Sequence, residues 1–184
     1  MPIYKWTEVK VSKLLSYALR HKPEDLGLVL DAAGYADVTT VLEALAKRGF
    51  TITREDLQHI VDTDDKKRYA FSVEGLKIRA CQGHSVKNVD LGLAAVKPPS
   101  VLWHGTSLRF LNRILDQGLL PMTRNHVHLS SDMEIAEEVG SRHGQLGLLK
   151  VYSDLMFQDG YKFYLSANEV WLTALVPVDY LEVV

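Results

Sequence analysis

Cysteine, long apolar runs and an excess of either charge are all missing from this chain, and each absence excludes something. Cys81 is the one cysteine among 184 residues, so no intrachain disulfide can form and a reducing compartment is favoured. No apolar stretch approaches the roughly 18 to 20 residues that span a bilayer. The opening "MPIYKWTEVK" has no apolar core of the kind a secretory signal needs, so a cytoplasmic location is expected. Lys and Arg total 21 against 23 Asp and Glu, a net charge of −2. Strong general attraction to nucleic acid is therefore not expected, and any such contact must be local. The halves differ mildly: residues 1–95 carry 14 basic and 13 acidic side chains, residues 96–184 carry 7 and 10. Internal repeats and low-complexity segments are absent as well.

What remains is the composition of a folded soluble protein, 47% hydrophobic and 24% charged, with length for one domain or two small lobes. "AAVKPPS", residues 94–100, is the best candidate linker, because consecutive prolines stiffen the chain and stop regular structure. Residues 1–93 read as three helices and a hairpin. Val11, Leu14, Leu15, Ala18 and Leu19 form a helical stripe that Pro23 should end near His21. A second helix is expected from about Thr40 to Arg48, with Gly49 as its stop. A third starts at Thr53, with Asp56 three residues on. "RYAFSV" and "LKIRACQ" flank Glu74-Gly75 as a hairpin. Three helices and a two-stranded wing suggest a winged-helix lobe. Residues 101–184 read as short strands with two helices, and so few helices imply largely antiparallel pairing. One helix should bury Leu108, Leu111, Ile114 and Leu115; the other should open on a Ser131/Glu134 capping box. The whole is expected to be α+β.

Several short motifs carry polar residues that a fold alone does not require. On a strand, Arg124, His126, His128 and Ser130 of "RNHVHLS" share one face while Val127 and Leu129 share the other. That polar face reads either as solvent-facing or as a site; a paired-histidine zinc centre lacks a clear third ligand. "LWHGTS" ends an apolar strand on His104, where Gly105 permits close backbone approach and Thr106 or Ser107 can cap a helix. "VGSRHG" places Arg142 and His143 between glycines after a helix, the usual place of a basic helix end. "LRHKP" puts Arg20 and His21 at another helix end, "DDKKRYAF" opens a strand on Lys66, Lys67 and Arg68, and "RACQGHS" gathers Gln82, His84 and Ser85 around a glycine. Each is individually weak.

Their order is not. The series "LRHKP", "DDKKRYAF", "RACQGHS", "LWHGTS", "RNHVHLS", "VGSRHG" and "VWLT" resembles the NAD-dependent RNA 2′-phosphotransferases over about Lys13 to Tyr180. The resemblance implies an N-terminal winged-helix RNA lobe (1–93) and a C-terminal ADP-ribosyltransferase-like NAD lobe (101–184). It implies an enzyme that moves an RNA 2′-phosphate, such as one left by tRNA splicing, to NAD in two steps, releasing ADP-ribose 1″,2″-cyclic phosphate. Carried over motif by motif, the catalytic set falls on Arg20, His21, Arg68 and Arg124. NAD would be held by His104, Gly105, Thr106, His128, Ser130 and Arg142, and the substrate by Lys67, Gln82, His84 and Ser85, the last three at the RNA phosphate or the lobe interface. No metal is implied, and a monomer without membrane contact is expected. One departure stands out: the last motif commonly reads Asn-Gly-Val-Trp-Leu-Thr, but here Glu169 replaces the glycine. If that position has positive φ, Glu169 is strained. The rival readings are an ADP-ribosyltransferase acting on nucleic-acid ends or protein, and a non-catalytic NAD- or RNA-binding module.

Overall fold

The stripe Val11, Leu15, Ala18 and Leu19 is fully buried along one face of α1 (Lys5–Arg20), as an i, i+4, i+7, i+8 pattern requires. The computed structural model describes residues 5–142 and 144–184. The chain divides into two compact units, Met1–Gly92 and Leu93–Val184.

In the first unit, a 3-10 turn over Pro23–Leu26 follows α1 and closes on Gly27 at φ 65°. β1 (Tyr35–Asp37) comes next; at three residues it is too short to leave a periodic signal. α2 (Val38–Lys47) starts two residues before the expected Thr40, because Asp37 caps it by accepting the Thr40 N–H at 2.8 Å. α3 (Arg54–Asp62) has the expected Thr53/Asp56 capping box in both directions. β2 (Tyr69–Phe71) and β3 (Lys77–Ala80) form the hairpin, with Gly75 at φ 70° in its turn. β1 joins the free edge of β3, giving an antiparallel sheet of order β1-β3-β2. Leu45, Leu57, Ile60, Tyr69 and Ile78 complete the core around α1.

In the second unit, residues 94–100 do not hang free. Val96 N–H bonds Phe163 O at 2.9 Å, and Ser153 Oγ donates to Pro99 O at 2.7 Å. β4 (Leu102–Ser107) runs into a 3-10 turn and α4 (Leu111–Gln117), which stops at Gly118. β5 (Val127–Leu129), α5 (Met133–Ser141), β6 (Leu146–Val151), α6 (Ser153–Gln158), β7 (Phe163–Leu165), β8 (Trp171–Thr173) and β9 (Leu181–Val183) follow. The sheets are β4-β6-β9 and β5-β8-β7, both antiparallel, and a Trp103–Ser130 bridge links them. The architecture is therefore mixed, with small antiparallel sheets, as an α+β chain should be.

Three expectations here need correction. Leu108 is exposed because the helix begins only at Leu111 and the preceding 3-10 turn rotates it off the apolar stripe, and Leu115, in the last turn of α4, is exposed as well. The cap of α5 is Asp132, whose carboxylate accepts from Glu134 and Ile135 N–H, and not Ser131. The helix count of two misses α6, six residues long and too short for a periodic pattern. Among the described residues, no helix is long and apolar enough to cross a membrane.

Candidate functional site

In the first unit, the C-terminus of α1, the strand entry before β2 and the loop after β3 bring the polar motifs together. Arg20 is the last residue of α1, and its carbonyl accepts the Ser85 N–H at 2.8 Å. The Arg20 side chain lies over Gly83, where an added Cβ would sit 3.4 Å from Arg20 Nε. His21 Nδ1 meets Ser85 Oγ at 3.0 Å. Arg68 is pinned by Asp64: the carboxylate pairs with the guanidinium and also accepts the Arg68 backbone N–H at 2.6 Å. Asp64 is only 8% exposed and Arg68 29%, so this pair is better held than a surface ion pair. β2 is tied to α1 by Tyr69, whose hydroxyl donates to Ser12 O at 2.5 Å. A groove of about 620 Å³ contains both His21 and Arg68, with Ser12, Lys13, Ser16 and Tyr17 along its α1 wall.

His84 points the other way, into the core, and is 3% exposed. Burial first, and then the nearby Arg20 and Arg79 charges, push its pKa down to about 4. It is therefore neutral at pH 7, and its Nε2 is buried without a hydrogen-bond partner. That nitrogen lies where a Cβ on Gly34 would be 3.2 Å away. Gln82 is half-buried, and Lys67 sits in the exposed turn before Arg68, its N–H bonding Asp64 O at 2.7 Å.

In the second unit the site forms where β4 and β5 meet. β5 alternates as expected: Val127 and Leu129 are buried and His128 faces away from them. Arg124 precedes the strand instead of lying on it, yet its Nη1 reaches His128 Nδ1 at 3.4 Å. A guanidinium can only donate, so His128 Nδ1 accepts and its neutral ring carries hydrogen on Nε2. His104 Nδ1 lies 3.0 Å from the His128 carbonyl. A carbonyl can only accept, so His104 carries hydrogen on Nδ1 and offers Nε2 as an acceptor. Burial, then the Arg124 charge, lower the His104 pKa and keep the ring neutral.

Two pockets share His104, Arg124 and His128. One, of about 350 Å³, has Thr106 and an apolar wall of Phe110, Ile114, Leu119 and Leu120. The other, of about 420 Å³, is lined by Gly105, Ser130, Asp132, Asn168 and Glu169. Gly105 has a structural reason to be glycine: a Cβ there would fall 1.7 Å from Ala136 O in α5. Gly140 answers it from the helix, with 2.8 Å to Thr106 N, so the two glycines let β4 and α5 meet backbone to backbone. Ser130 Oγ accepts the Asp132 N–H at 3.0 Å. His126 packs edge-on against Tyr164, ring centroids 5.7 Å apart.

Arg142 is not brought to either pocket; it pairs with Glu138 one helical turn back, and His143 lies outside the described residues. Glu169 has φ 61°, so the strain foreseen at this position is present. Among the described residues, only Lys67, Met122 and Glu169 are non-glycines with positive φ. Lys67 adjoins Arg68, Met122 lies two residues before Arg124, and Glu169 lines a pocket. Backbone strain of this kind concentrates at functional sites. Reading the sequence missed Asp64, Asn168 and the apolar pocket wall. Asp64 had a usable signal, an acid four residues before Arg68; the wall, split between α4 and the following loop, had none.

The family described as "RNA 2′-phosphotransferase, Tpt1 / KptA family" matches residues 6–175. The chain belongs to that family. It is 48% identical to a probable RNA 2′-phosphotransferase of Pectobacterium carotovorum, over 94% of this chain and 92% of the relative. Its identity to the proteins of the same name is 51% in Agrobacterium fabrum (94% and 92% covered) and 50% in Streptomyces coelicolor (94% and 93% covered). Each of these relatives bears the name of an enzyme. Across the family match lie Arg20, His21, Arg68, His104, Arg124 and His128, all inside residues 6–175.

Proposed function

We propose that this chain removes an internal RNA 2′-phosphate by transferring it to NAD. The observation that carries the reading is the pair of pockets around His104, Arg124 and His128, which suit a ligand with two linked halves. A neutral imidazole acceptor, a guanidinium and hydroxyls from Thr106 and Ser130 are the donors and acceptors a dinucleotide uses there. The fit supports NAD held by His104, Gly105, Thr106, His128 and Ser130. Three helices and a small antiparallel sheet support a winged-helix reading of the first unit, and its groove with His21 and Arg68 suits the RNA. The second unit reads as the ADP-ribosyltransferase-like lobe.

NAD supplies an electrophilic ribose carbon and a nicotinamide that leaves with the electron pair of the broken C–N bond. An oxygen of the RNA 2′-phosphate forms the new bond to that carbon. In the second step the P–O bond to the RNA 2′-oxygen breaks as a bond to the ribose 2″-oxygen forms. The proton lost by the 2″-hydroxyl is balanced by one gained at the RNA 2′-oxygen. Arg20 and Arg68 offer guanidinium forks to the phosphate, where charge builds on its oxygens, and Arg124 offers one at the pockets that suit NAD. His21 donates to the phosphate or to the departing 2′-oxygen.

The test is an RNA oligonucleotide carrying one internal 2′-phosphate, incubated with and without NAD. NAD-dependent loss of the phosphate, with a cyclic-phosphate ADP-ribose product, is expected. Loss without NAD, or none with it, overturns the proposal.

A further inference from the structure

Ser85 makes two hydrogen bonds to two consecutive residues of the proposed catalytic set. Its backbone N–H bonds the Arg20 carbonyl at 2.8 Å, and its Oγ meets His21 Nδ1 at 3.0 Å. The first bond satisfies one of the carbonyls that a helix C-terminus leaves without an intrahelical donor. It comes from a residue 65 positions further along the chain, so it fixes the loop against the helix end, not the helix against itself. The turn at Gly83, φ 89°, sends His84 into the core and Ser85 outward. The buried His84 ring seats that loop in the core. The Ser85 hydroxyl meets the His21 ring at 3.0 Å.

We propose that Ser85 is a positioning residue for His21: it holds the imidazole by Nδ1, setting the ring plane so that His21 acts on the substrate through Nε2. The inference rests on the reading of His21 as a proton or hydrogen-bond donor to the RNA phosphate or 2′-oxygen. An imidazole anchored through one nitrogen has its working nitrogen defined by that anchor. Partners of this kind, one bond removed from the reacting atoms, typically matter by about 10- to 100-fold.

The experiment has a kinetic arm and a spectroscopic arm, both on the full chain. With 2′-phosphorylated RNA and NAD, Ser85→Ala is expected to slow phosphate release about 10- to 100-fold. The KM for NAD should stay unchanged, and ADP-ribosylated RNA should accumulate. Ser85→Thr, which keeps the hydroxyl, should recover most of the rate. In a His21→Ala background, Ser85→Ala should add less than about twofold, because its effect passes through the imidazole. An equal loss in both backgrounds means Ser85 acts independently and overturns the proposal. The second arm needs no activity: the 15N resonances of the His21 ring are read in wild type, Ser85→Ala and Ser85→Thr. A shifted Nδ1 resonance in the alanine variant alone supports positioning; an unchanged ring overturns it. Failure of the wild type to act on RNA would sink the proposed function, while the ring resonances would still decide whether Ser85 sets His21.

Discussion

His21 in the first unit and His104 in the second are held by different means. In the first, His21 is anchored by a side chain, Ser85, and the neighbouring Arg68 by another, Asp64. In the second, His104 is anchored by a backbone carbonyl, and the strand carrying it is seated by two glycines. Side-chain anchors suit a site that presents charge to a dianion, since each can be tuned by substitution. Backbone anchors suit a shaped pocket, since peptide groups stay put whatever the side chains do. The first unit gathers Arg20 and Arg68, whereas the second sets neutral imidazoles beside the single guanidinium of Arg124.

Gly105→Ala is the harshest way to break that comparison. The new Cβ would overlap Ala136 O, and no side-chain rotation relieves a clash between backbones. A loss of about 4 kcal/mol or more is expected in urea or thermal unfolding. A variant as stable as wild type would show that β4 and α5 are not held backbone to backbone.

Arg68→Ala sharpens the chemical side of it. Phosphate removal should fall about 100- to 1000-fold, with nicotinamide release much less affected and ADP-ribosylated RNA building up. His128→Ala should instead raise the KM for NAD. Should both variants show the same kinetic defect, the division of labour between units is wrong.

The next effect is on stability against pH. The folded His84 pKa, about 4, lies below its unfolded value of 6.5. Between those values the unfolded chain binds a proton that the folded chain refuses, so stability falls as pH falls through that window. The change amounts to about 3 kcal/mol for His84. His104, shifted in the same direction, adds to it. His84→Gln should flatten the unfolding free energy measured from pH 7 to pH 4; an equally steep curve in the variant would place the titration elsewhere.

Smallest is Glu169→Gly. Removing the Cβ from a residue at φ 61° relieves strain of about 1 kcal/mol, partly offset by a more flexible unfolded chain. A modest rise in melting temperature is expected, and a fall would mean that the carboxylate makes a stabilising contact.

Much of the local structure was legible because its causes are local. Thr53 and Asp56 cap α3 from three residues apart, and Gly75 turns the hairpin it sits in. Val127 and Leu129 bury one face of β5 because strand side chains alternate. Where competing local choices existed, the structure chose between them: Asp132 over Ser131 as a cap, and Asp37 extending α2 backward. Elements such as β1, β9 and α6 escaped because three to six residues repeat a period fewer than twice.

By itself, then, the sequence determined the end of α1, the start of α3, the hairpin, the alternating face of β5 and, through the order of its motifs, the family. Only the tertiary structure decided that Ser85 holds His21, that Asp64 holds Arg68 from both its backbone and its side chain, and that Gly105 serves α5. Periodicity and capping act over a few residues, whereas Ser85 meets His21 across 64 positions and Gly105 meets Ala136 across 31. Such pairs are set by where the chain packs, and no spacing in the sequence encodes them.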